Sequence, residues 1–368
     1  MLENLDPQHE LALHKAEGVG RKILATLNQP YQLRGHHYRG SSSLGIALFT
    51  DEHSSSEDIL KQADLAMYQA KSAGRNTLRF FDPQMQAEIN IRTQLESELH
   101  HALERNEFEL HYQPQIQHQH QQSCFGVEAL LRWHSPQRGL VLPGDFIPLA
   151  EQSNLILPIG HWVLQQACWQ LAEWAEHPQL ATLSIAVNVS ARQFHQADFV
   201  HHLQQLLEHS GANPARLKLE ITESLLLMKL DDAASKMNQL RQLGISFALD
   251  DFGTGYSSLS YLRQLPLDQV KIDRSFVRDV LDNPNDAAIC KAVIALGHSL
   301  GLSVLAEGVE TTQQCGFLRQ HGCQQVQGYL YGKAMPAEQL LLWLNQQQPL
   351  SRPDDADQPA SLASPETG

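Results

Sequence analysis

The sequence predicts an α/β protein in which a closed eight-stranded β/α barrel follows a smaller, partial α/β unit. Three observations carry this reading. Over about 250 residues, eight strand-like runs alternate with helix-like runs, the count of a closed parallel sheet wrapped by helices. In the second half of the chain, a polar or charged residue repeatedly interrupts a short apolar run: Glu128, Asn188, Glu220, the pair Asp250 and Asp251, Lys271, Glu307 and Gln327. Ahead of the barrel, a βαβ-like stretch of about eighty residues is small for a free-standing α/β domain.

The front unit begins with a helix predicted over 9–29, then a strand over 41–50. A second helix over 57–73 places Ile59, Ala63, Ala66, Met67 and Ala70 on one face. A short strand over 77–81 closes the unit before Asp82-Pro83. Helical spacing over 84–107 leads into the first barrel strand, 108–115. The further strands are predicted over 124–133, 183–190, 216–222, 246–251, 267–273, 303–308 and 323–331. Helical runs fall over 157–178, 194–209, 230–243, 285–300 and 310–320. The domain scheme is therefore 1–83 for the front fragment, 84–107 for the connecting helix, 91–346 for the barrel and 349–368 for a Pro-, Asp-, Ser- and Ala-rich tail expected to be disordered.

With 42% hydrophobic and 18% charged residues, the chain has enough apolar content for a packed core. No apolar run reaches the eighteen or so residues of a membrane span, and the start lacks the pattern of a signal peptide. A cytoplasmic chain without membrane contact is expected. Five cysteines without a CxxC pair suggest reduced thiols rather than a disulfide framework. A formal charge of -14 argues against broad binding to a nucleic-acid polymer, so a phosphate ligand must meet locally placed cations. The tract Gln117-His-Gln-His-Gln-Gln122 has hairpin length between two strands and reads as a solvated loop.

Strand parity assigns the chemistry. In Leu217-Lys-Leu-Glu-Ile-Thr222, the apolar residues share one face and Lys218, Glu220 and Thr222 the other. Glu128 likewise shares a face with Leu130 and Arg132, and Lys271 with Asp273. If the apolar parity packs on helices, the polar parity lies inside the barrel. A carboxylate buried there without a counter-charge is strongly disfavoured or protonated. Five carboxylates, Glu128, Glu220, Asp250, Asp251 and Glu307, against one or two cations predict a divalent metal site. Oxygen ligation without Cys or His points to Mg²⁺ or Mn²⁺. The adjacent Asp250-Asp251 pair suits two ions about 3.5–4 Å apart, the arrangement of phosphodiester hydrolysis. A single polar residue in an apolar strand is more often a satisfied structural group, and it is the repetition that favours a site.

The motifs Tyr112-Gln-Pro-Gln115, Glu128-Ala-Leu-Leu-Arg-Trp133, Asn188-Val-Ser190, Glu220-Ile-Thr-Glu223, Asp250-Asp-Phe-Gly-Thr-Gly-Tyr-Ser-Ser258, Lys271-Ile-Asp273, Glu307-Gly-Val-Glu310 and Gln327-Gly-Tyr329 run in order along the chain. Together they resemble the EAL family of cyclic di-GMP phosphodiesterases. The resemblance implies a modified TIM barrel with one antiparallel strand that hydrolyses cyclic di-GMP to linear pGpG with two Mg²⁺ or Mn²⁺ ions. It implies metal ligation by Glu128, Asn188, Glu220, Asp250 and Asp251. Lys271 would position or polarise the attacking water, and Glu307 would act as base or ligand. Gln113, Leu131, Arg132, Asp273, Glu310 and Gln327 would line the substrate. Glu223 would anchor the loop after the fifth strand, so Glu223→Ala should cut turnover sharply while leaving the fold intact. A homodimer through the barrel is the family expectation. Two departures from the family pattern, Gln324 at a commonly acidic position and Lys333-Ala334 in place of Arg-Pro, touch none of the expected metal ligands.

Ser43-Leu-Gly-Ile-Ala47, Ala63 to Asn76 and Phe80-Phe-Asp-Pro83 resemble the C-terminal half of a GGDEF (diguanylate cyclase) domain, yet the chain contains no Gly-Gly-Asp/Glu-Glu-Phe string. Cyclase activity is excluded on this sequence, and the chain is expected to begin inside a longer protein whose upstream segments could anchor it. Residues 1–83 are expected to pack loosely, with exposed apolar helix faces. Two rival readings remain: a non-catalytic cyclic di-GMP receptor, and another Mg²⁺-dependent barrel enzyme, since barrels host many chemistries. A complete ligand set favours the enzyme over the first, and the ordered motif series excludes the second.

Overall fold

The protein is described from a computed structural model covering residues 9–33, 36–38, 40–49, 55–118, 122–223, 225, 230–253 and 264–347. The chain divides into two compact units, Met1–Glu98 and Leu99–Gly368.

In the first unit, helix His9–Leu27 precedes an antiparallel pair, β1 (Tyr31–Leu33) and β2 (His36–Tyr38), which the sequence reading did not anticipate. Strands β3 (Leu44–Ile46) and β4 (Leu78–Phe80) pair in parallel, joined by helix Ser56–Ser72. That helix starts where Ser55 accepts the Asp58 amide. Glu57 and Asp58 lie in its first turn and Lys71 in its last, each suited to the helix dipole. Gly45 lets strand and helix approach closely, because a Cβ there would overlap the backbone of Ala63 and Met67.

Helix Pro83–Ala102 crosses the division between the units; in the second unit β5 (Phe108–Gln117) follows, and β6 (Ser123–Ser135) pairs antiparallel with it from Phe108↔Trp133 to Gln117↔Ser123. The connection is too short to cross over, so only an antiparallel partner is reachable. A short strand β7 (Gly139–Val141) extends the β6 edge; it is absent from the sequence reading. Next come β8 (Ser184–Asn188), β9 (Leu217–Thr222), β10 (Ser246–Phe252), β11 (Gln269–Ile272), β12 (Ser303–Ala306) and β13 (Gln325–Gln327). The sheet order is β5-β13-β12-β11-β10-β9-β8-β6-β7, with β5 also paired to β6, which closes an eight-stranded barrel. Strand β5 is antiparallel to both neighbours, and the other seven barrel strands run parallel.

Three further features depart from the sequence reading. The last barrel strand spans three residues rather than 323–331, because beyond Gln327 the chain turns at Gly328 to lie against Val309. A Cβ on Gly328 would overlap the Val309 backbone, so the turn needs glycine. The run over 194–209 is two helices, Ala191–Phe194 and Phe199–Ser210, the first capped by Ser190 accepting the Gln193 amide. Helices Pro143–Ser153, Arg274–Arg278 and Ala337–Gln347 were not anticipated; Pro143 and Pro148 obscured the first, and the second has only five residues. Among the described residues, no helix is long and apolar enough to cross a membrane. The tail 349–368 and residues 119–121 lie outside the described residues.

The core lies between the strands and the helices around them, where Trp133, Phe146, Phe194 and Phe247 are fully buried. Alternation puts the polar parity on the inner face. Deep in the barrel, Lys218 Nζ donates to Gln269 Oε1 at 2.9 Å, and Gln269 Nε2 donates to Gln325 Oε1 at 2.6 Å. This layer satisfies itself through neutral amide partners.

Candidate active site at the barrel mouth

The parallel strands bring their C-terminal ends to one rim, and the interrupting residues meet there. Glu128 on β6 and Glu220 on β9 are buried side chains of the inner parity, and Asn188 at the end of β8 is exposed on the same rim. Lys271 on β11 is completely buried. Its ammonium lies 2.5 Å from Glu220 Oε2, 2.6 Å from Glu307 Oε1, 3.2 Å from Asp250 Oδ1 and 3.7 Å from Glu128 Oε2. One lysine therefore faces four carboxylates.

Amide side chains orient Glu128. Asn188 Nδ2 donates to Glu128 Oε1 and Gln327 Nε2 donates to Glu128 Oε2, both at 2.6 Å. Gln327 Nε2 also donates to Gln113 Oε1 at 3.1 Å, while its own Oε1 accepts from Gln115 Nε2 at 3.0 Å. The Gln113 amide in turn donates to the Gly332 carbonyl at 3.1 Å. Gln327 is thus occupied on both ends. Gln115 was not singled out as a site residue, although it ends the quoted Tyr112-Gln-Pro-Gln115 motif.

Strict alternation would send Asp250 and Asp251 to opposite faces of β10. Instead the pairing with β11 shifts register between Leu249 and Phe252, and Asp251 adopts φ 54°. The Asp251 amide donates to Asp250 Oδ1 at 2.9 Å, and one oxygen from each of Asp250, Asp251 and Glu307 falls within 4.8 Å of the others. A bulge in this place re-aims a side chain without breaking the strand. Left-handed backbone at a non-glycine residue is a local cost that a functional site commonly retains. Glu307 sits just past β12, its amide held by the Ile272 carbonyl at 3.1 Å.

The electrostatics reflect surplus negative charge. Burial alone would lower the Lys271 ammonium, but the carboxylates of Glu128, Glu220, Glu307 and Asp250 hold it well above its ordinary value. Burial would raise Glu128, yet Lys271 and the Gln327 and Asn188 amides bring it below the usual carboxylate value. Glu220 goes the other way: burial, reinforced by Glu128, Asp250 and Glu307, pushes it well up despite Lys271. Burial, with Asp250 and Glu128, pushes Glu307 up to about 8; burial, with Asp250 and Asp273, pushes Asp251 up to about 6. Without added cations, protons take up part of the charge.

The remaining expected residues are less concentrated. Arg132 is partly buried on the inner parity of β6 and donates to the Leu131 carbonyl at 2.8 Å. Leu131 has the opposite parity, beside the buried Ala129 and Trp133, so its side chain faces away from the site. Asp273 caps helix Arg274–Arg278 by accepting the Ser275 amide, and its charge reaches Asp251. Glu310 is exposed, its amide bonded to Gln314 Oε1. Glu223 is partly buried just beyond β9; residues 254–258 of the loop it was expected to anchor lie outside the described residues.

The donor set fits divalent cations. Every side chain in the ring offers oxygen, and Glu220 Oε1 is buried without a hydrogen-bond partner, the kind of orphaned acceptor that a hard cation satisfies.

Comparison with known proteins adds the family. The EAL domain profile matches residues 96–334, and the profile of the diguanylate cyclase GGDEF domain matches residues 5–77. The chain is 44% identical over 326 residues to the bifunctional diguanylate cyclase/cyclic di-GMP phosphodiesterase MucR of Pseudomonas aeruginosa, covering 89% of this chain and 47% of that protein. It is 40% identical over 325 residues to the cyclic di-GMP phosphodiesterase NbdA of the same organism, covering 88% and 41%. The chain spans less than half the length of these curated relatives. Among solved structures, the PaMucR phosphodiesterase in complex with c-di-GMP is 46% identical, covers 67% of this chain and 99% of that one, and superposes with a TM-score of 0.65. With the profile spanning the whole carboxylate ring, the chain belongs to the EAL-domain family, its barrel preceded by a partial GGDEF-type unit.

Proposed function

We propose that the barrel hydrolyses cyclic di-GMP to linear pGpG at the carboxylate ring, with Mg²⁺ or Mn²⁺ as cofactor. The observation that carries this reading is the convergence of Glu128, Glu220, Asp250 and Glu307 on a single buried lysine, with Asp251 grouped beside Asp250 and Glu307 and with Glu220 Oε1 left without a partner. Similarity to proteins named as cyclic di-GMP phosphodiesterases supports the choice of substrate.

Glu128, Asn188, Glu220, Asp250 and Asp251 would hold the ions. Bound there, divalent cations would lower the pKa of water and offset charge on the phosphoryl oxygens. Gln327 and Gln113, tied to Glu128 and to each other, keep Glu128 in one orientation, so Gln327 acts by positioning as well as by its expected place near substrate. Lys271, its ammonium within reach of four carboxylates, would act as a fixed donor and positive charge toward the attacking water. Glu307, 2.6 Å from the Lys271 ammonium, would be ionised once the cations are bound and is placed to take the proton of that water. The water oxygen bonds to phosphorus, one ester P–O bond breaks, and the departing sugar oxygen takes a proton, which leaves a linear dinucleotide. Arg132 contributes a forked donor for a phosphate, with Asp273 and Glu310 at the rim near the bases.

The test is incubation of the purified chain with cyclic di-GMP and Mg²⁺ or Mn²⁺, with and without EDTA, followed by chromatography. Metal-dependent pGpG supports the reading, and tight binding without cleavage would replace it with the receptor reading.

A further inference from the structure

A second group of ligand-type side chains stands on the same two strands that open the barrel, outside the carboxylate ring. One donor atom from each of Glu109, His111 and His134 lies within 4.8 Å of the others. Glu109 Oε2 is 2.9 Å from His134 Nε2 and 3.4 Å from His111 Nε2, and the two imidazole rings are 6.4 Å apart. We infer that these three residues form a separate binding site for a borderline transition-metal ion such as Zn²⁺, Co²⁺ or Ni²⁺.

The chemistry of the donors separates this site from the first. Two imidazoles and a carboxylate suit zinc and its neighbours, whereas an all-oxygen ring suits Mg²⁺ and Mn²⁺. Three protein donors are also the number found in zinc sites that keep a fourth position open. The backbone is well held, as a ligand set requires. Glu109 and His111 lie on β5, cross-strand from Arg132 and Leu130, and His134 lies on β6 opposite Leu140 of β7. The His134 amide also donates to the Glu107 carbonyl at 2.8 Å, continuing the ladder past the last paired residues. His111 is mostly buried, while Glu109 and His134 are exposed, so an ion can enter from solvent.

The strand direction places this group at the mouth. Along β6, Glu128, Leu130, Arg132 and His134 share one parity and run toward the C-terminal rim. His111 and Glu109 face the register of Leu130 and Arg132, about 7–14 Å beyond Glu128 by strand rise. An ion there adds positive charge beside Arg132, where an anionic phosphate would pass, and offers it an open coordination position. Glu109, His111 and His134 are not among the residues that the sequence singles out, and they have no recognisable ligand spacing. Antiparallel pairing is what brings residue 134 beside residues 109 and 111.

The experiment titrates the full chain with Zn²⁺ by calorimetry, and with Co²⁺ by visible absorption, in saturating Mg²⁺ so that the carboxylate ring is occupied. Wild type should bind about one ion with imidazole ligation. His134→Ala and Glu109→Gln should weaken that binding by about tenfold or more, the loss that follows even when only an outer-sphere partner of a ligand is removed. Both side chains are exposed, so their metal-free melting temperatures should match wild type and report that the barrel is intact. Asp251→Asn, in the carboxylate ring, should leave the Zn²⁺ titration unchanged. Equal Zn²⁺ binding by wild type and both rim variants would overturn the inference, as would loss of binding in Asp251→Asn alone. Neither readout depends on turnover, so failure here leaves the hydrolytic reading standing.

Discussion

The two units of this chain show opposite uses of apolar and polar residues. Among the described residues of the front unit, the buried hydrophobics are Ala12, Ala16, Ala66 and Ala70, while Leu11, Ile23, Leu27, Tyr31, Tyr38, Phe49, Leu60 and Tyr68 are exposed. The barrel does the reverse: it buries Trp133, Phe146, Phe194 and Phe247 completely and also buries Glu128, Glu220 and Lys271. A closed sheet sheathed by helices has enough apolar contact to tolerate a charged centre. A parallel pair of three-residue strands with helices does not build a comparable core. Burial of charge is thus possible where the surrounding apolar layer is thick.

Lys271→Met should break this contrast most severely. It leaves Glu220, Glu307, Asp250 and Glu128 without their shared ammonium, and loss of one partner of a buried ion pair costs about 3–5 kcal/mol. Denaturant unfolding should register that loss, Mg²⁺ or Mn²⁺ should restore part of it, and turnover should be abolished. A comparable loss is expected in the apolar layer: Trp133→Ala should cost about 3–5 kcal/mol, whereas Ile23→Ala in the front unit, at 42% exposure, should fall within about 0.5 kcal/mol.

Asp251→Asn should separate stability from activity. It removes one charge from a crowded ring and should raise the melting temperature of the metal-free chain, while turnover falls by at least the 10–100-fold typical of a disturbed metal environment. Equal turnover in this variant would remove Asp251 from the site.

The pH dependence follows from the raised carboxylates. As pH rises from the ordinary 4.5 toward about 8, the unfolded chain ionises Glu307 while the native site still holds its proton, so the metal-free barrel should lose stability through that window. Glu220, also raised, acts in the same direction. Divalent cations should stabilise most at the alkaline end, which calorimetric melts with and without Mg²⁺ will read. The gentlest test is hydrogen exchange: amides of helix His9–Leu27 should exchange before those of β9 and β11. Equal protection would erase the contrast between the units.

Much of this was legible in the chain. The eight-strand count and the inner parity of Glu128, Glu220 and Lys271 follow from period-two alternation, which any half-polar strand must obey. Parity alone would have separated Asp250 from Asp251; the register shift and the left-handed Asp251 that reunite them are backbone events with no residue-type signature at a non-glycine position. Closure of the last strand after three residues likewise depends on Gly328 meeting Val309, which lies just past the neighbouring strand β12.

By itself, the amino-acid sequence determined the fold class, the family and the residue types at the mouth, because alternation and motif order are local properties of the chain. Tertiary structure alone decided which carboxylates share Lys271, that Gln327 is spent holding Glu128, and that Glu109, His111 and His134 meet. Those are relations between strands, set by register and closure, and no local pattern encodes a distance across a barrel.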